Sequence, residues 1–130
     1  MKTMEYTVAG HTWHLCLNGS ALFDAYEKFG DKAPISSHIE GNDKASFHAT
    51  CWLLAKLAEQ GELVRRHLGF TPGKFPTEHT FRALLSPMDV VEAKKAVQET
   101  LYLGFLREEP DEEKAVDLGL LELQKKTEPG

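Results

Sequence analysis

The stretch "NDKASFHATCWLLAKLAEQGELVRRHLG", residues 42–69, decides how the chain folds. Asn42 or Asp43 can cap a helix by accepting hydrogen bonds from its first free amides. From Lys44 to Gln60 the apolar positions are Phe47, Cys51, Leu54, Ala55 and Ala58, with Trp52 and Leu57 flanking the stripe. A stripe this wide marks a helix buried on more than one side, and predicts one over about 43–60. Gly61 interrupts it, "ELVRRHL" adds a further turn or two, and Gly69 closes the unit.

Upstream, "NGSALFDAYEKFG" (18–30) has both helix ends marked, by Asn18 or Ser20 and by Gly30. Leu22, Ala25, Tyr26 and Phe29 share one face of the predicted helix 20–29, most of it turned inward. Before it, "MEYTVAGHTWHLCLN" alternates Met4, Tyr6, Val8 and then Trp13, Leu15, Leu17 around Ala9-Gly10-His11, the pattern of a β-hairpin over 4–17. A lone hairpin is marginal in water, and the 20–29 helix is the nearest element for its apolar face. Residues 30–43 read as a connection with one short turn.

Downstream, "GFTPGKFP" is a loop, Thr77 caps a helix over 78–85, and Ser86-Pro87-Met88-Asp89 is a sharp start signal for a helix over 87–106. Val90, Ala93, Val97, Leu101 and Phe105 (or Leu106) are its inward positions. The fold class predicted is α+β, mainly α-helical with four to five helices and an N-terminal β-hairpin, as one globular domain over 1–108. "REEPDEEK" then breaks the pattern, and 109–130 is expected to be an acidic, mobile C-terminal tail with a short helix at 112–124. No segment repeats.

The chain has 130 residues, 42% hydrophobic and 27% charged, in the range of soluble globular domains. A formal charge of −5 argues against nucleic acid, whose phosphates demand a clustered basic face. Arg65-Arg66-His67 is the tightest basic group. No window reaches the apolar length of a membrane span, about 18 residues or more, and the N-terminus lacks a secretory apolar run. Cys16 and Cys51 fall at hydrophobic positions without a framework spacing and read as reduced thiols, so a cytoplasmic protein is expected.

Six histidines raise the question of a metal. His48 and Cys51 are three apart on a helix and His11 and His14 flank the hairpin turn, but a site needs three or four converging ligands and no second pair has zinc-like spacing. The expectation is no metal and no cofactor. G-x-S-x-G, a Walker loop and H-E-x-x-H are all absent, and "SSH" at 36–38 is sequence adjacency without a triad's geometry. Glu108, Glu109, Asp111, Glu112 and Glu113 form a solvated charge run. No catalytic residue is predicted, and the chain is not expected to be an enzyme.

Taken in order, the hairpin leading into "LCLNGSALFDAYEKFG", the middle segment "CWLLAKLAEQGELVRRHLG" and "AVDLGLLELQKK" near the end resemble the tail assembly chaperones of long-tailed, non-contractile bacteriophages and prophages. The shared features are hydrophobic spacing and caps over most of the chain, and the loop 69–77 and linker 30–43 are outside them. The resemblance implies a non-enzymatic protein of the bacterial host cytoplasm. Such chaperones bind apolar helical stretches of the tape measure protein, recruit major tail protein around it, and leave before the tail is complete. It also implies self-association, and a longer frameshift form: Gln124-Lys125-Lys126 is compatible with a slippery A-AAA-AAG run. The alternative is a structural head-tail connector or tail completion protein. A third class is a small metal-dependent hydrolase or nuclease using His48 with other histidines.

Coating a long chain requires exposed apolar surface and contact between copies. Two surfaces are the candidates for partner binding: the aromatic set Trp13, Phe23, Tyr26 and Phe29, and the terminal set Val116, Leu118, Leu120, Leu121 and Leu123.

Overall fold

The computed structural model describes residues 3–69 and 75–106. Val116, Leu118, Leu120, Leu121 and Leu123, with the predicted 112–124 helix, lie outside them. The order is β1 (Met4–Val8), β2 (His11–Leu15), α1 (Gly19–Phe29), a short 3-10 helix (Ile35–Ile39), α2 (Lys44–His67), α3 (Glu78–Leu84) and α4 (Pro87–Phe105). The fold is α+β and mainly helical, with a two-stranded antiparallel hairpin at its N-terminal end.

Each of the four α-helices starts where a side chain satisfies its free amides. Asn18, Asp43, Thr77 and Ser86 accept from Ala21, Ser46, Thr80 and Asp89 respectively, and the last two are full capping boxes. α1 closes at Gly30, whose φ of 89° is open to glycine without steric cost. The hairpin pairs Met4 with Leu15 through Val8 with His11, and the two turn residues Ala9 and Gly10 both have positive φ. That is the primed turn whose twist matches two paired strands.

α2 runs unbroken through Gly61, contrary to the interruption expected there. A Cβ at Gly61 would sit 1.7 Å from the carbonyl oxygen of His14, so the glycine is a place where β2 lies directly on the helix. The contact is polar as well as close. The Cys16 amide donates to the Leu57 carbonyl of α2 at 3.0 Å, and the His14 amide donates to the Glu62 carboxylate at 3.2 Å. The same Glu62 oxygen lies 3.2 Å from His14 Nδ1, and Glu62 is only 2% exposed. The hairpin's partner is therefore α2, whereas α1 was the expected one. Tyr6 and Trp13 reach past it to the buried Phe81 of α3, with ring centroids 6.4 and 5.0 Å away.

α2 is also the wall on which the rest is laid. Its Leu53, Leu54, Leu57 and Ala58 are all but inaccessible, as are Ala21 and Ala25 of α1 and Ala93 and Val97 of α4. Small residues on the facing helices bring the backbones close, and α1 meets α2 through Asn18 to Gln60 (3.0 Å) and Lys56 to Asp24 (2.9 Å). At the far end of α4, a Cβ on Gly104 would be 2.5 Å from Leu17 Cβ. Gly104 thus occupies the inward position of the last turn, and Phe105, expected inward, is 62% exposed. Leu106 is exposed too.

Gly61→Ala should destabilise the protein by about 3 kcal/mol or more, because the overpacking against the strand backbone exceeds the roughly 1 kcal/mol that alanine gains over glycine in a helix. Gly19→Ala, with nothing within 4 Å of its added carbon, should be close to neutral. Denaturant midpoints of the two variants check this, and equal midpoints would contradict it.

Candidate functional site

The four aromatic residues proposed as one surface are parted by the fold. Trp13 is half-buried on Phe81 and beside His11, at 5.0 and 5.6 Å. Phe29 is held inside a cluster, stacked on His38 at 4.9 Å and edge-on to Trp52 at 5.4 Å. Phe23 and Tyr26 stay together, 5.9 Å apart in an edge contact, and Phe23 is 67% exposed. Of the set, these two face outward from one place.

Tyr26, though not Phe23, lines an open groove of about 580 Å³ between α1, the 3-10 helix and the last turns of α4. Its floor is Ile35 and Leu101, both buried, and its walls are Tyr26, Pro34, Tyr102 and Phe105. Tyr102 is as exposed as Phe23. The polar lining is Ser36, Glu40 and Gln98. A trough with an aliphatic floor, aromatic sides and few polar groups takes an apolar ridge, and its size is in the range of binding clefts. Leu103 and Leu106, near the same end of α4, are exposed as well.

Tyr102 and Phe105 were missed as site residues because the helical period assigned Phe105 to the core. The available signal was Gly104, which marks a close approach and displaces its neighbours outward. Ile35 comes from the 30–43 connection, where the hydrophobic pattern had no period to follow.

Elsewhere, two groups that could do chemistry, the Cys51 thiol and the Tyr6 phenol, are buried. Among the described residues, no three His, Cys, Asp or Glu converge as metal ligands. Cys16 and Cys51 are both buried and are not joined as a disulfide. Burial pushes the Cys51 thiol up to about 11, with Glu78 adding to the effect and Arg82 offsetting it. Burial likewise holds the Tyr6 phenol up to about 12, helped by the negative charge of Asp89, Cys51 when ionised, and Glu92. Tyr6 Oη has no hydrogen-bond partner among the described residues. A thiol and a phenol so disfavoured from ionising are core groups, poor as nucleophiles near neutral pH. No described helix is long and apolar enough to cross a membrane.

Both groups hold their protons longer folded than unfolded, so stability is complete below pH 9 and falls as pH rises through the Cys51 window of 9 to about 11 and the Tyr6 window of 10 to about 12. The slope approaches about 1.4 kcal/mol per pH unit for each group. Cys51→Ala should flatten the first part of the fall and Tyr6→Phe the second, the latter without loss at neutral pH because its hydroxyl is unpaired. Urea midpoints measured across alkaline pH decide it.

No protein-family model, curated protein or solved structure matches the chain.

Proposed function

We propose that this chain is a tail assembly chaperone of a long-tailed, non-contractile bacteriophage or prophage, working in the host cytoplasm, and that it binds apolar helical segments of the tape measure protein while major tail protein is recruited. The observation that carries the reading is the open groove between α1 and α4. Tyr102 and Phe105 stand in solvent along it, each more than 60% exposed, and Phe23 is in edge contact with Tyr26 of its lining. Two large aromatic side chains left out of the core beside an apolar trough are poorly explained by folding. They are the expected equipment of a surface that receives another chain's apolar ridge.

The mode of binding follows from the shape. An amphipathic helix laid along the trough would set residues at three- and four-residue spacing against Ile35 and Leu101, between Tyr26 on one side and Tyr102 and Phe105 on the other. Aromatic walls gain much contact area for few frozen rotors, so a short helix is held without a deep cavity. An open groove also releases what it holds, as a factor that leaves before assembly is complete must do.

The test is co-purification of the full chain with a tape measure fragment carrying an apolar helical stripe, followed by titration of that fragment. Phe105→Asp and Tyr102→Asp should each weaken binding by about 30-fold or more, as for buried anchor residues of an interface. Their thermal midpoints should stay near wild type, because surface positions contribute little to folding. Unchanged affinity in both would refute the reading, as would recovery of the protein in finished particles in stoichiometric amounts.

A further inference from the structure

α4 ends with an apolar side turned to solvent. Tyr102 and Phe105 are 67% and 62% exposed although both line the groove, and Leu106, the last described residue, is exposed as well. The α4 wall of the groove is Gln98, Leu101, Tyr102 and Phe105, a row at i, i+3, i+4 and i+7 along the last two turns. Such a row is the face a helix offers to a second helix. Among the described residues, α1 and the 3-10 helix stand across from it and leave the trough open.

Residues 107–130 follow, and the same row recurs in their sequence. Val116, Gly119, Leu120 and Leu123 stand at i, i+3, i+4 and i+7, three aliphatic side chains and a glycine where a backbone can come close to an aromatic wall. Asp117, Leu118, Leu121 and Glu122 lie off that face. We propose that segment 116–123 folds back as a helix antiparallel to α4 and occupies the groove of its own chain, so that a partner's helix has to displace it. The lengths agree. Eight residues of helix run about 12 Å, as do the eight from Gln98 to Phe105 that make the wall. The connection 107–115, "REEPDEEKA", can span up to about 30 Å, so the segment reaches back with slack. Pro110 is unsuited to carrying α4 onward, and the charges around it are suited to water.

Each part lacks what the other has. A helix this short is marginal alone in water and forms when its apolar face is covered, while the groove has exposed aromatic walls over an aliphatic floor. The tether presents the segment at an effective concentration on the order of millimolar, so a weak fit is enough to fill the trough. A partner helix with the same spacing takes its place once its own affinity outweighs that local concentration. Until then the tail keeps the apolar walls from indiscriminate contact. This regulation rests on the reading that the groove receives an apolar helix, and names what holds the groove before the partner arrives.

The full chain carrying both Leu120→Asp and Leu123→Asp tests this against wild type. With no partner present, the Tyr102 and Phe105 resonances should move on substitution, and a synthetic amphipathic peptide with leucines at i, i+3, i+4 and i+7 should bind the variant about 10-fold more tightly, because the groove is no longer occupied. Unchanged or weaker peptide binding overturns the proposal; weaker binding would make the tail itself the partner's site. A nitroxide on Glu122→Cys reads the contact without a peptide, since Cys16 and Cys51 are buried. It should broaden Ile35, Leu101 and Tyr102 within its own chain at any dilution. Absence of that broadening, or broadening of an isotope-labelled chain by a separate nitroxide-bearing one, overturns the proposal. If the peptide binds neither chain while the nitroxide still broadens the groove, the tail contact stands and the reading of the groove as a partner's site is what fails.

Discussion

The approach of β2 to α2 at Gly61 is the constraint from which the remaining geometry follows. A strand backbone can come this near a helix only where the helix has no side chain, and here the vacancy is one residue wide. Once the strand is seated, the amides of His14 and of Cys16 just after it find a buried carboxylate and a helix carbonyl, so neither is left unsatisfied. Tight packing and polar satisfaction meet in the same three residues, Leu57, Gly61 and Glu62. Arg65, one turn on, places its Nε 3.8 Å from the other Glu62 oxygen and adds positive charge at the helix's negative end.

The consequence travels along the chain. His14 is held on α2 at Gly61 and Leu17 on α4 at Gly104, so the four residues 14–17 are gripped from two sides immediately before Asn18 opens α1. That fixes how α1 is rotated: Ala21 and Ala25 go in, Phe23 goes out, and Tyr26 comes to the groove rim. Gly104 has the same effect on α4, where it takes the inward place and leaves Tyr102 and Phe105 outside. Two glycines inside helices, each with a helix-propensity cost, thereby shape the surface on which the functional proposal rests.

What could be read from residues alone follows the range of the interactions. Caps at Asn18, Asp43, Thr77 and Ser86 and the turn at Ala9-Gly10 are local, and the hairpin and helices appear where those signals put them. Gly61 was misread because an interrupting glycine and one that admits a neighbouring strand look identical in one dimension; the difference is His14, 47 positions away in sequence. The same holds for the hairpin's partner and for Phe105, whose helical phase is correct until Leu17 intrudes. For the candidate site, Phe23 and Tyr26 were legible as an apolar pair on one helix. Phe29 and Trp13 have the same spacing or character and were drawn off by His38, Trp52 and Phe81, contacts with no local trace.

The central claim is that this molecule acts by lending apolar surface at the α1–α4 groove to another helix. The most direct measurement is residue-resolved NMR of the labelled chain titrated with an amphipathic peptide from a tape measure protein. The account predicts saturable shifts at Tyr26, Ile35, Leu101, Tyr102 and Phe105, with the hairpin resonances at His14 and Cys16 unmoved. Shifts absent from the groove, or gathered on the hairpin instead, would contradict it.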